Sequence, residues 1–239
     1  MSMNEKMLWV VGYSNLDKFR EIAEATGVTG VAIRTDNDLT KAIDAFHGSS
    51  IRVFGWRWPS AQRTGAMNEA TKVAALFDGG MDGYFVDPEG APGKPYDWDR
   101  PGLEQLASDF CSAISDAAGD RPFGVTSHYR GKFQHPHLPW TQFFEHATVL
   151  LPQAYWRVEQ GEVGTGQPKA NYLKAIDSWL ATGGSRDLIV PMAGELAQVT
   201  SDEVDAYVAQ ADALNIGSAH FYAFNAAVGD DVWAAIAAS

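Results

Sequence analysis

Two carboxylates separated by one residue, Asp87 and Glu89, follow a short apolar run at Gly83–Val86. Side chains two positions apart on an extended segment point the same way, so we expect both carboxyl groups to lie side by side where a strand ends. Neighbouring carboxyls perturb each other's pKa, and a pair with one protonated and one ionised member is what glycosidic bond cleavage needs. An acidic pair after a strand is also typical of a solvated turn, so the pair alone does not decide the function.

The overall charge limits the partners that this chain can have. It carries 18 basic and 30 acidic side chains, a formal net charge of −12 over 239 residues. Such a surface repels phosphate backbones and anionic membranes, so we expect neither nucleic acid nor a membrane as a partner. The length and the 46% hydrophobic content suit one large domain over residues 1–239, and we expect a monomer.

The single cysteine and the N-terminal segment bear on the compartment. Cys111 lies in an amphipathic stretch, which favours a buried structural thiol, and one cysteine allows no internal disulfide. The N-terminal apolar run is too short for a signal peptide, and no run is long enough to span a membrane. We therefore expect a protein that is cytoplasmic as synthesised, and that reaches a cell wall only through a holin or inside a virion.

Eight apolar runs recur at fairly even intervals, and each is followed by a stretch with apolar residues three or four positions apart. Strands that alternate with helices predict a parallel sheet, and eight units at this length predict a single closed (β/α)8 TIM barrel of the α/β class. A doubly wound open sheet is the alternative, but no Gly-x-Gly-x-x-Gly follows the first strand. The predicted strands are Leu8–Tyr13, Gly30–Arg34, Ile51–Trp56, Gly83–Asp87, Phe123–Ser127, Thr148–Ala154, Leu188–Met192 and Ala219–Phe224.

The predicted helices complete the eight units. The fifth is the weakest, because Thr141–His146 supports barely two turns. The predicted helices are Leu16–Ala25, Leu39–Phe46, Met67–Phe77, Leu103–Ala117, Trp140–Glu145, Tyr172–Leu180, Val204–Leu214 and Asp231–Ala238.

Aromatic and hydrogen-bonding residues gather at the predicted strand ends, which is where barrels of this class carry their active sites. Aromatic faces stack on the apolar faces of sugar rings, while Arg, Gln and Asn hydrogen-bond hydroxyls and amides. Any one of these aromatic residues could equally well fill the mouth of the barrel without binding a sugar. The convergence of the whole set predicts a carbohydrate site, with substrate-binding candidates Tyr13, Arg34, Trp56, Arg57, Trp58, His128, Tyr129, Gln153, Tyr155, Trp156, Tyr222 and Asn225.

Roles for the carboxylates follow from their neighbours. Glu89, flanked by aromatic residues and Asp87, is the predicted general acid, because apolar surroundings and a nearby carboxylate both raise a pKa. Asp87 is expected to stay ionised, where it could steady an oxocarbenium ion or orient an N-acetyl group that acts as an internal nucleophile. Tyr155 could hydrogen-bond that same group.

Glu195, near the seventh predicted strand, leaves a second catalytic arrangement open. In that arrangement Glu89 would be the acid/base and Glu195 the nucleophile. Glu195 could equally open the next helical segment. Sequence spacing does not give the carboxylate separation that would decide between retention and inversion.

A metal site is the other hypothesis that the residue types suggest, through His128, His135 and His137. The last two lie in a loop with no acidic residue nearby in sequence, which favours a substrate-lining or exposed loop over a zinc site. We therefore expect no metal and no cofactor. No strand ends in a lysine that could form a Schiff base, and the chain has neither a Gly-x-Ser-x-Gly elbow nor a phosphate loop.

With these residues identified, most of the chain resembles the Chalaropsis-type lysozymes, glycoside hydrolase family twenty-five. Members carry Asp-x-Glu at the end of the fourth strand, as Asp87-Pro88-Glu89 does here, and a sixth strand ending in Gln and Tyr that residues 151–156 resemble. The resemblance implies a lysozyme-like barrel that cleaves β-1,4 links of N-acetylmuramic acid in peptidoglycan, with Glu89 as acid and Asp87 as its assistant. The chain departs from the family at Gly12-Tyr13 and Phe224-Asn225, where members usually carry aspartates, so a glycosidase with another substrate or a silent carbohydrate-binding barrel fits as well.

Overall fold

Eight parallel strands form one continuous sheet in the computed structural model, which describes residues 3–239. The strand order is β6-β5-β4-β3-β2-β1-β10-β9, so neighbours in sequence are neighbours in space. The edges meet where the Val190 N–H donates to the Leu150 carbonyl at 2.8 Å, beside a parallel bridge between Leu150 and Ile189. The (β/α)8 barrel predicted from the sequence is confirmed. Its strands are β1 Glu5–Val10, β2 Gly30–Arg34, β3 Arg52–Arg57, β4 Gly83–Val86, β5 Phe123–His128, β6 Val149–Gln153, β9 Met192–Gly194 and β10 Ser218–Tyr222.

Within residues 3–239, eight α-helices surround the barrel, and a small two-stranded hairpin lies outside the main sheet. No helix within residues 3–239 has the length and apolar character needed to cross a membrane. Short 3-10 helices cover Gly131–Phe133, Arg186–Leu188 and Leu196–Gln198. The helices are α1 Leu16–Ala25, α2 Leu39–His47, α3 Arg63–Asp78, α4 Glu104–Ala118, α5 Trp140–Glu145, α6 Pro168–Thr182, α7 Ser201–Ala213 and α8 Asp230–Ala238, and the hairpin is β7 Arg157–Val158 with β8 Gly161–Glu162.

Several element bounds differ from those predicted, each for a local reason. The first strand begins at Glu5 rather than Leu8, because Glu5 and Lys6 pair with β10 although they lie outside the apolar run. The ammonium group of the buried Lys6 donates to the Ile236 and Ser239 carbonyls. The predicted strand Leu188–Met192 instead starts at Met192, since the preceding Pro191 has no N–H for the ladder. Helix α3 starts four residues earlier than predicted, where the sequence lacks apolar periodicity.

The barrel interior is packed with aromatic rings. The Trp9 ring lies 5.7 Å from that of Trp56, 5.0 Å from that of Phe85 and 6.0 Å from that of His220 between centroids. Gly83 makes room for Phe54, because a Cβ at this glycine would stand 2.4 Å from the phenyl ring. This filled core leaves the carboxyl ends of the strands as the place for a site.

Candidate active site

Strand β4 delivers Asp87 and Glu89 to the C-terminal mouth of the barrel. Asp87 is two residues after the inward-facing Phe85, so its side chain points to the same side. It is buried, at 4% exposure, whereas Glu89, two residues further along, is partly exposed. The Asp87 N–H donates to the Arg57 carbonyl on β3 at 2.8 Å. The Ser127 hydroxyl on β5 donates to the Pro88 carbonyl at 2.7 Å, so the segment is held from both sides.

The loop after β4 also holds the Glu89 backbone in place, through residues that the sequence analysis missed. The Trp98 N–H donates to the Glu89 carbonyl at 2.8 Å, and Asp97 pairs with Glu89 in a parallel bridge. The Trp98 ring is fully buried and donates through its indole N–H to the Pro59 carbonyl at 3.0 Å. The sequence Asp97-Trp98-Asp99 could have indicated this contact, because a large apolar ring in an acidic loop is usually buried against another part of the chain.

Burial and mutual repulsion set the protonation of the carboxylate pair. Desolvation raises the pKa of Asp87 well above its usual value, and the Glu89 charge raises it further. Hydrogen bonds from Trp58 and Gln153 act in the opposite direction on Asp87. Desolvation also raises the pKa of Glu89, against a hydrogen bond from Gln153. The pair therefore holds a proton to higher pH than two isolated carboxyls would.

The two members of the pair differ in depth. Asp87 is buried and Glu89 is partly exposed, and burial raises the pKa of both carboxyl groups. The division of roles expected from the sequence, with Glu89 protonated as the acid and Asp87 ionised, stays a prediction.

Two stacked tyrosines stand beside the pair. The Tyr155 and Tyr222 rings are 5.4 Å apart between centroids and nearly parallel, at 15°. Burial raises the pKa of both phenols, and the charges of Asp87, Glu89 and Glu195 add to the effect on each. Both phenols are therefore neutral groups that can hydrogen-bond, within electrostatic range of all three carboxylates.

An arginine-lined flank carries the partly exposed Trp58 ring. The Arg34 guanidinium lies 5.5 Å from the centre of this ring and donates to Asp36 at 2.6 Å. Arg57 also pairs with Asp36, at 2.9 Å. Although partial burial alone would raise it, hydrogen bonds from both arginines hold the pKa of Asp36 below its usual value. Asp36 thus fixes the two predicted arginines in position.

Three predicted substrate-binding rings are buried instead. Trp56, at 1% exposure, donates its indole N–H to the Val10 carbonyl at 2.9 Å within the barrel. Trp156 is fully buried and packs on Tyr207, with the β7–β8 hairpin following it. Tyr129, at 5% exposure, stacks on His128. Burial leaves these three rings little surface for a substrate, and their expected contact with substrate stays a prediction.

Glu195, Tyr13 and Asn225 lie together around a cavity of about 710 Å³ on the same rim. Glu195 follows β9 directly and occupies the N-cap position of the 3-10 helix Leu196–Gln198, without a side-chain capping hydrogen bond. It therefore opens the next helical segment, and its catalytic role stays a prediction. Tyr222 also lines this cavity, whereas Asp87 and Glu89 do not. The structure thus places Glu195 in a neighbouring compartment, with Tyr222 on the boundary.

The histidines considered as metal ligands lie at the end of β5, for His128, and in the loop after it, for His135 and His137. Burial, with His135 and Arg130 nearby, lowers the pKa of His128 to about 4, and its ring lies 6.0 Å from that of His135. His135 packs against Gly90, where an added Cβ would approach its Nδ1 to 2.4 Å. Within residues 3–239 no three His, Cys, Asp or Glu side chains are grouped so that they could hold a metal ion.

Comparisons with known proteins define the fold further. No family model matches the sequence, and no curated protein matches it significantly. The PgaB (BpsB) glycoside hydrolase domain from Bordetella bronchiseptica aligns with a TM-score of 0.63 and 11% identity, over 96% of this chain and 95% of that one. A class V chitinase from Pseudomonas fluorescens Pf-5 aligns with a TM-score of 0.64 and 12% identity, over 97% and 98%. A putative deoxyribose-phosphate aldolase from Toxoplasma gondii ME49 reaches 0.60 at 12% identity, over 99% and 94%. At these identities the likeness shows the barrel fold, which hosts several chemistries.

Proposed function

We propose that this protein is a glycoside hydrolase, with Glu89 as general acid and Asp87 as its partner. The observation that carries the proposal is the pair itself: two adjacent carboxyls at the end of β4, both with raised pKa values and one deeply buried. A carboxyl kept protonated near neutral pH beside one that can ionise is the arrangement that protonates a leaving glycosidic oxygen. The similar structures of a glycoside hydrolase domain and a chitinase, described above, support this chemistry by analogy.

Proton transfer within the pair follows from its coupling. Positive charge that develops on the sugar ring favours an ionised Asp87, so bound substrate favours the form of the pair in which Glu89 carries the shared proton. Glu89 then gives this proton to the glycosidic oxygen as the bond to the anomeric carbon breaks. A water molecule adds its hydroxide to that carbon and returns its proton to the pair. Gln153, which donates to Asp87 at 3.1 Å, stabilises the ionised form.

The substrate class that we propose is an amino-sugar polymer, of which peptidoglycan is one example. The Tyr155 hydroxyl stands near Asp87 and Glu89, which suits an N-acetyl group held between a phenol and a carboxylate. Trp58 and Tyr222 offer partly exposed ring faces for sugar stacking at the two flanks of the pair. The structure leaves the muramic-acid specificity of the lysozyme resemblance as a narrower proposal within this class.

The direct test is release of reducing ends from chitin oligosaccharides, peptidoglycan and a neutral glucan. We expect Glu89→Gln to lower kcat by about 10²–10⁴-fold, the usual contribution of general acid catalysis. Asp116→Asn, on the exposed side of α4, is the matched control and should retain full activity. Unchanged activity in the Glu89 variant would reject the assignment, and glycan binding without turnover by the wild type would leave a silent carbohydrate-binding barrel.

A further inference from the structure

The cavity of about 710 Å³ beside Tyr222 is a second compartment of the barrel mouth, which we call the Glu195 cavity. It lies between the loops that follow β1, β9 and β10, and small residues such as Gly12, Ser14 and Ala226 leave it open. Its volume falls within the roughly 300–1,000 Å³ of cavities that bind small organic ligands. It has room for sugar rings beyond the one that contacts Asp87 and Glu89.

Glu195 is fixed within this cavity by backbone contacts. Its N–H donates to the Arg157 carbonyl at 3.0 Å, and its Oε2 accepts the Glu159 N–H at 3.2 Å. Its Oε1 has no hydrogen-bond partner among residues 3–239, although the side chain is only partly exposed. An oriented carboxylate oxygen with a free lone pair is a ready acceptor for a hydroxyl, an amide N–H or an ammonium group.

The charge of the cavity decides which ligands it accepts. Of the residues that the structure describes, no lysine or arginine lines it, whereas the two glutamates Glu159 and Glu195 do. Arg157, whose carbonyl accepts the Glu195 N–H, has its guanidinium paired with Glu162 and Glu203 at 3.0 and 2.8 Å. A carboxylated or sulfated sugar would meet like charge from the two lining glutamates, so the cavity disfavours anionic sugar units.

Tyr222 connects the cavity to the carboxylate pair. Its ring lines the Glu195 cavity and stacks on Tyr155. The charges of Asp87, Glu195 and Glu89 add to the effect of burial and raise the pKa of its phenol. A ring face shared by two compartments is a suitable platform for consecutive sugars of one chain.

We propose that the Glu195 cavity binds the sugar units next to the cleavage site, and that Glu195 selects uncharged glycan chains over short and acidic ones. This inference rests on the proposed hydrolase function. Glu195 is then a specificity-determining residue that accepts hydrogen bonds from the adjoining sugars, and Asp87 alone is the partner of Glu89.

The kinetic test uses N-acetylglucosamine oligomers from dimer to hexamer. For Glu195→Gln, we expect kcat/KM to fall about 10–100-fold on the hexamer, the range for a hydrogen bond to a charged group, mostly through KM. The change on the shortest cleaved oligomer should stay below about twofold, as expected where that hydrogen bond is not made. The same loss at every length, or a loss confined to kcat, would overturn the proposal, and the latter would make Glu195 catalytic. Asp116→Asn and thermal melting curves control for unfolding.

A binding test separates this inference from the proposed function. Calorimetry on Glu89→Gln, with and without Glu195→Gln, measures affinity for the same oligomers and for oligogalacturonides without any turnover. We expect the second substitution to weaken hexamer binding about tenfold or more, and Glu89→Gln alone to bind the hexamer better than the acidic chains. Equal affinity in the two variants, or a preference for the acidic chains, would reject the role of Glu195 even if the protein hydrolyses glycans. Absent hydrolysis with a Glu195-dependent affinity would reject only the proposed function.

Discussion

Gln153, at the end of β6, donates its side-chain amide to Asp87 Oδ1 at 3.1 Å, across the intervening strand β5. This contact spans the mouth of the barrel and ties together two strands that do not pair. An amide can only donate through its nitrogen, so the contact favours the ionised form of Asp87 against the burial that favours the neutral form. The proton affinity of the pair therefore depends on a residue two strands away.

Gln153→Ala should raise the pKa of the carboxylate pair further, because the hydrogen bond that stabilises its charged form is lost. The catalytic form with one proton then persists to higher pH, so the alkaline limb of the kcat/KM profile should move up by about one unit, since a hydrogen bond to a charge is worth about 1.5 kcal/mol or more. A pH–rate profile on a soluble oligosaccharide measures this shift. Gln160→Ala, in the exposed hairpin turn, is the control and should leave the limb in place. A limb that moves down would show that Gln153 does not stabilise the charge.

Asp87→Asn should make the protein more stable at neutral pH, though inactive. Asp87 has a folded-state pKa well above its unfolded value, so the folded state binds more protons and wild-type stability falls as pH rises through that interval. Asparagine keeps an oxygen for Gln153 and carries no charge to bury. We expect a gain of about 0.5–2 kcal/mol at pH 8, typical of relieved functional strain, and less at pH 4.

Urea denaturation of both forms at the two pH values measures the difference. If Asp87→Asn lowered the free energy of unfolding equally at pH 8 and pH 4, the pKa of Asp87 would not be raised in the folded protein. The parallel change Asp116→Asn, at an exposed position, should produce little effect at either pH.

The alternation of strands and helices predicted the barrel because each unit carries its own periodicity, and the alternation along β4 placed Asp87 and Glu89 at its mouth. That alternation does not give the depth to which each side chain is buried. Asp87 and Glu89 are equivalent in that pattern, but Asp87 is buried, at 4% exposure, and Glu89 is partly exposed. The loop after β4 is held by long-range contacts such as that of Trp98 with Pro59, which a local pattern does not show.

The fate of the aromatic residues was likewise not visible in the sequence. Trp56 and Trp58 both follow the inward alternation of β3, and their rings meet edge to face 5.1 Å apart. The first is closed off by Trp9 and the second lies partly open under Arg34. A short-range pattern gives the direction of a side chain, whereas exposure depends on which neighbour lies above it. The sequence analysis also missed the β7–β8 hairpin beside Trp156, because its position depends on long-range contacts.

Cys111 should not react with thiol reagents while the protein is folded. Burial raises the pKa of this thiol, with a small contribution from Glu145, and the side chain has no exposed surface. The thiolate is the nucleophile, so both effects suppress reaction. Titration with Ellman's reagent should give no colour in buffer and one thiol per chain in denaturant. Rapid reaction of the native protein would show that α4 opens readily from the barrel.

His220 makes the barrel core sensitive to acid. The Trp9 indole N–H donates to its Nδ1 at 3.0 Å, which requires a neutral ring, and burial lowers the pKa of His220 to about 3. The unfolded chain protonates this histidine below about pH 6.5, so folded-state stability is lost as pH falls from there towards 3. At pH 4.5 the loss is about 2–3 kcal/mol from this one residue, at 1.36 kcal/mol per pH unit.

His220→Gln tests this dependence, since glutamine offers an oxygen to Trp9 and does not titrate. We expect the variant to be less stable than wild type at pH 7 by about 1–3 kcal/mol, as for other imperfect core substitutions, and to lose less stability between pH 7 and 4.5. Urea unfolding at both pH values gives the double difference. His146→Gln, outside the barrel interior at the end of α5, removes one histidine as the control and should keep the wild-type acid loss. Equal acid loss in His220→Gln and wild type would place the acid sensitivity in the carboxylates, because the buried imidazole would then contribute nothing to it.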